Sequence, residues 1–190
     1  MNGGEPDARA ADGSISHPYD LARFVAAQEP VIDTVLRELG AGEKRSHWMW
    51  FVFPQLAALG RSATARLYGI GSRDEALAYW HHPLLGPRLR QCCTELLPHG
   101  ARGAAAVLGT VDAMKLRSCL TLFAQVAPEE PLFTRLLEVY FDGAPDAATL
   151  RLLAGERRAA ASIHAALAPA SPGTSTETSS KDRSERETGS

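Results

Sequence analysis

The chain has 190 residues, 45% of them hydrophobic and 22% charged, with a formal net charge of -2. That length suits one domain able to bury a core without disulfide or metal support. The slight acidity excludes a nonspecific nucleic-acid binder, which needs an excess of Lys and Arg facing phosphates.

Residues 1–17 are rich in Gly, Ala and Asp with one large aliphatic, Ile15, and are expected to be a disordered segment. They also lack the apolar core of a signal peptide. A helix is predicted from Asp20 as N-cap, with Leu21, Phe24 and Val25 on one face up to Gln28. Pro30 interrupts it, and Ile32, Val35, Leu36 and Leu39 form a second apolar stripe ending at Gly40 and Gly42. Ser72 and Glu75 have the spacing of a capping box, opening a helix to about His81 that Pro83 stops. Pro87 suits the first turn of the next helix, whose Leu89, Cys92, Cys93, Leu96 and Leu97 face a core.

Asp112 is the predicted cap of a helix carrying Leu116, Cys119, Leu120 and Phe123 on one side. Ser118, Thr121 and Gln125 lie on another. Pro131 opens a helix with Phe133, Leu136, Leu137 and Tyr140, closed by Gly143, and Asp146 caps a last one through Leu150 and Leu153. No alternating run bounded by hairpin residues appears. The expected fold class is all-α: a single domain of short, irregularly packed helices over residues 18–155. Residues 156–190 are expected to be weakly helical and then a disordered tail, since 169–190 hold no large apolar side chain.

The longest stretch without a charged residue in the apolar middle of the chain, 46–60, is too short to span a membrane. Cys92, Cys93 and Cys119 form no CxxC pattern, so neither a disulfide framework nor a zinc knuckle is expected, and a reducing, cytoplasmic setting fits. Arg far outnumbers Lys, which stands only at Lys44, Lys115 and Lys181. Together with abundant alanine, this fits a base-composition bias of the source genome.

The segment His47-Trp48-Met49-Trp50-Phe51-Val52-Phe53-Pro54-Gln55 concentrates aromatics far beyond the chain's 7%. Nearly every position is apolar, so periodicity does not separate a buried helix from an extended run. Two accounts are compatible with it. The aromatics form the centre around which the helices pack, or Trp48 and Trp50 wall a pocket with His47 and Gln55 as polar contacts.

Three strings, 44–55, 82–89 (His82-Pro83-Leu84-Leu85-Gly86-Pro87-Arg88-Leu89) and 112–123 (Asp112 to Phe123), resemble an uncharacterised helical family, domain of unknown function 1810. The resemblance runs from about Asp20 to Leu153, with the strings in the expected order. Cys119 departs from it, standing where a second serine after Ser118 is expected. The resemblance implies an all-helical fold found in Rv1873-like bacterial proteins and no established activity. Helical character and an aromatic, polar pocket also give an analogy to the NADAR class, which acts on ADP-ribose-type N-glycosides. No shared motif anchors that analogy.

Asp112 and Lys115, three residues apart, share a helix face where an ion pair or a ligand-facing pair can form. Ser118, Thr121 and Gln125 continue along the same helix and could line a cleft. His81 and His82 point to different sides of a helix and have no spaced third ligand, so no metal is expected. No cofactor fingerprint appears, because Gly69-Ile70-Gly71 is too short and follows no strand.

Two function classes follow. One is a pocket protein, enzyme or not, that holds a small polar, nucleotide-like or ADP-ribose-like ligand. There His47, Lys115 and Asp112 are the candidate acid–base groups, and Trp48, Trp50, Gln55 and Ser118 the ligand contacts. The other is a helical protein–protein interaction module without catalysis.

Overall fold

The computed structural model describes residues 19–167, and the expected disordered segments at 1–17 and 169–190 lie outside them. Among the described residues the chain forms ten α-helices, two 3-10 segments and no strand. The helices are α1 (Ala22–Gln28), α2 (Ile32–Gly40), α3 (Met49–Val52), α4 (Ala63–Leu67), α5 (Arg73–His81), α6 (Leu85–Leu96), α7 (Ala104–Leu108), α8 (Thr110–Val126), α9 (Pro131–Phe141) and α10 (Ala147–Leu167). None of them is long and apolar enough to cross a membrane.

The centre of the fold is α8, packed against α3, α5, α7, α9 and α10. A helix surrounded on so many sides needs apolar residues around most of its girth. From Ser118 to Phe123 every residue is accordingly buried. The apolar stripes of the other helices meet it: Tyr79 packs on Phe123, Phe123 on Phe133, and Phe133 on Trp80, with centroids 5.6, 5.6 and 5.2 Å apart. Cys92, Cys93 and Cys119 lie inside this core as free thiols.

Local signals place most helix ends, with instructive departures. The Ser72 hydroxyl accepts the Glu75 N–H at 3.1 Å, as a capping box requires. The Glu75 carboxylate, however, turns to the Gly71 N–H at 2.7 Å and to the Arg23 guanidinium at 2.6 Å. Arg23 also donates to the carbonyls of Leu67, Gly69 and Asp20, pinning the loop between α4 and α5 onto α1. Asp20 gives no side-chain cap; α1 begins one residue later, with Leu21 at the N-cap. Leu97 opens a 3-10 segment (Leu97–Arg102) instead of extending α6.

Asp112 is not a cap either. The N-cap of α8 is Gly109, at φ 85°, a left-handed conformation that a side chain would strain. The helix therefore starts at Thr110, three residues earlier than the sequence predicts, and Asp112 falls within its first turn. There a carboxylate still complements the helix dipole, and it is free to bind elsewhere. Two short helices, α4 and α7, carry no apolar period long enough to show in the sequence.

Candidate functional site

The aromatic segment resolves into one helical turn followed by a break. Met49 and Val52 point into the core from α3, as do Trp48 and Phe53 at its ends, while Trp50 and Phe51 are half-buried. Pro54 lacks an N–H and holds the residue before it out of the helical region, which stops α3 at Val52. The chain then pairs through one parallel bridge, Leu56 to Ile70. Ile70 donates to the Gln55 carbonyl at 2.9 Å and Ala57 donates to the Ile70 carbonyl at 2.8 Å. The backbone of Gln55 is thereby fixed while its side chain remains available.

Between α3, the 55–62 loop, α4, α8 and the start of α10 lies a cleft of about 470 Å³. Its polar lining includes Gln55, Arg61, Ser62, Lys115, Ser118 and Asp146. Its apolar lining includes Trp50, Leu59, Val111 and Met114. Val111 and Met114 are 60% and 61% exposed and form an apolar lip. Among the described residues, the Gln55 amide and the Arg61 guanidinium have no hydrogen-bond partner.

One wall is electrostatically organised. Asp112 accepts Lys115 Nζ at 2.8 Å on one carboxylate oxygen and meets Lys44 Nζ at 2.7 Å on the other. Burial pushes the Asp112 carboxyl up, but the hydrogen bonds and charges of Lys115 and Lys44 outweigh it and hold it below the ordinary range. Lys115 Nζ also lies 4.2 Å from the Trp50 ring centroid, and Lys44 Nζ lies 4.9 Å from that of Trp48. The opposite carboxylate, Asp146, caps α10 by accepting the N–H and hydroxyl of Thr149 at 2.8 and 2.7 Å. Burial again works against ionisation there, and the bonds from Thr149, the Ser118 hydroxyl and the Ala148 N–H win, so Asp146 stays ionised to lower pH than usual.

The residues singled out in the sequence thus separate. Trp50, Gln55, Lys115 and Ser118 share the cleft, with Asp112 directly behind Lys115. His47 is exposed and does not line it. Trp48 is 1% exposed, and its indole N–H donates to Glu38 at 2.8 Å, which places it in the core and away from the cleft. Thr121 is also buried: its hydroxyl donates to the Arg117 carbonyl and accepts the Asp146 N–H, each at 2.8 Å. With Arg117 donating to the Ala144 carbonyl at 2.8 Å, this polar side of α8 docks the start of α10 instead of facing a ligand. Gln125 stands outside the cleft as well.

Lys44 and Arg61 are residues the sequence did not single out for a site, and Asp146, expected as a helix cap, also lines the cleft. The sequence marks Lys44 only as one of three lysines in an arginine-rich chain; its convergence with Lys115 on Asp112 is a tertiary contact. Among the described residues no group of three or more His, Cys, Asp or Glu side chains could hold a metal ion.

The sequence profile described as "Protein of unknown function (DUF1810)" matches residues 18–153. The fold is similar to the crystal structure of the conserved hypothetical protein Rv1873 from Mycobacterium tuberculosis. That structure has a TM-score of 0.71 and 48% sequence identity, and the match covers 73% of this chain and 99% of the other. No curated protein matches the chain.

Proposed function

Since the chain belongs to the DUF1810 family of proteins of unknown function, we propose a function from the cleft itself: it binds a small molecule that joins a planar ring to an anionic group, of nucleotide or ADP-ribose type. The observation that carries this is the free Gln55 amide in the same cleft as the half-buried Trp50 ring and the Lys115 ammonium. An amide offers a donor beside an acceptor, which matches the edge of a heterocycle, and an indole face suits its plane. The volume, about 470 Å³, lies in the range of small-molecule sites. Acid–base chemistry in this cleft would fall to Lys115, backed by Asp112, with His47 outside reach. A cytoplasmic setting accords with three buried, free thiols.

The exposed Val111 and Met114 favour a second reading, a helical interaction module whose lip takes a partner's side chain. A thermal-shift screen with nucleotides, NAD, ADP-ribose and sugar phosphates separates the two. Ligand binding predicts a rise of about 5 °C or more near a hundredfold excess over Kd, abolished by Trp50→Ala. No rise with any of these compounds would favour the module.

A further inference from the structure

We infer that Lys115 is a transferable cation that moves from Asp112 to a phosphate on the ligand, and that Lys44 is the positioning residue that makes the transfer affordable. The inference rests on the ligand-binding reading of the cleft and names the group that reads the ligand's charge.

Three charges meet at one point: the Asp112 carboxylate between two ammonium groups, at 2.7 and 2.8 Å. The set carries one positive charge in excess. Its two cations are held very differently. The Lys44 side chain is 9% exposed, donates to the Ser46 carbonyl at 2.7 Å and lies over Trp48, while its main-chain N–H donates to the Val107 carbonyl at 2.9 Å. Lys115 has the same carboxylate and the Trp50 face, and it lines the cleft.

Pulling a cation away from a half-buried carboxylate is ordinarily opposed by the unpaired charge left behind. Here Lys44 stays on the other oxygen, so Asp112 keeps a counter-ion when Lys115 departs. Arg61, with no hydrogen-bond partner among the described residues, supplies further N–H donors to an anion in the same cleft. Asp146, the carboxylate of the lining, is occupied by Thr149. The excess charge is therefore available to a phosphate.

The test is calorimetric titration of the full chain with AMP and with adenosine, which differ by the phosphate alone. AMP should bind at least about tenfold tighter than adenosine, the scale of a charge-assisted contact. Lys115→Met should erase that difference and leave adenosine binding in place. Lys44→Met should shrink it although Lys44 does not line the cleft, and Lys44→Arg should restore it. Equal affinity for AMP and adenosine in the unaltered protein would overturn the charge transfer while sparing the cleft as a binding site. Wild-type selectivity in Lys44→Met would remove Lys44 from its positioning role. If Lys44→Met does not fold, loss of selectivity in a folded Lys44→Arg variant would count against that role equally. Absence of binding by both compounds would overturn the cleft reading and this inference with it.

Discussion

The Trp48 indole N–H donates to Glu38 at 2.8 Å, whereas Trp50, two residues along the same turn, offers its ring to Lys115. A single turn of chain thus assigns one tryptophan to the core and the other to a cleft. Trp48→Ala should lower unfolding free energy by about 3 to 5 kcal/mol, the cost of a cavity where a large buried aromatic stood. Trp50→Ala, at a half-buried position, should cost about 1 to 2 kcal/mol. Urea unfolding of both variants measures the difference, and equal losses would place Trp50 in the core too.

Glu38 makes acid stability a second test. It accepts the Arg45 and Ser46 N–H groups at 2.9 and 3.1 Å and the Ser46 hydroxyl at 2.7 Å, besides Trp48. Burial pushes its carboxyl up, but these donors overcome that and bring it from 4.5 to about 2. A carboxylate depressed on folding contributes stability that is fully present above pH 4.5 and lost as pH falls toward 2. Allowing for solvent screening, that contribution is about 1 to 2 kcal/mol. Glu38→Gln should be less stable at pH 7 and should lose less stability between pH 4.5 and 2. Parallel acid-unfolding curves for the two proteins would contradict this.

Gly69 passes so close to the 55–62 loop that a Cβ there would lie 2.4 Å from Ala57 Cα. Backbone cannot yield as a flexible side-chain tip can, so Gly69→Ala should destabilise by about 1 to 3 kcal/mol. It should also weaken any ligand-induced thermal shift, because the displaced loop carries Gln55 and Leu59 into the cleft. A melting curve identical to the parent would show that the loop is free to shift.

The three thiols should be inert in the folded protein. Burial pushes Cys92 up to about 12 and Cys93 and Cys119 well above the usual thiol range, so the reactive thiolate is scarce. A disulfide-exchange reagent should label none of them natively and all three after denaturation. Rapid native labelling of any one would mean that the core opens near it.

Much of the helical frame was legible because it follows from local chemistry. Pro30, Pro83 and Pro131 punctuate helices through φ and the missing N–H, and Ser72 and Asp146 cap them through side-chain oxygens. The start of α8 was misplaced because Asp112 has the composition of a cap, while the backbone turn belongs to Gly109. The candidate site was only half legible. Trp50, Gln55, Lys115 and Ser118 meet across elements, and nothing local distinguishes Trp50 from Trp48, or Ser118 from Thr121 one turn later. Which of each pair faces the cleft depends on how α10 docks on α8 and on the Leu56–Ile70 bridge, both tertiary events. Lys44 was obscured for the same reason: its ion pair joins residues 68 positions apart.

The most direct measurement is the indole N–H NMR signals of the three tryptophans, followed while the best compound from the thermal screen is titrated in. The cleft account predicts a saturable shift of the Trp50 signal, with Trp48, fixed to Glu38 in the core, nearly still. A thermal response accompanied by an unmoved Trp50 signal would place the ligand elsewhere on the molecule and contradict the account.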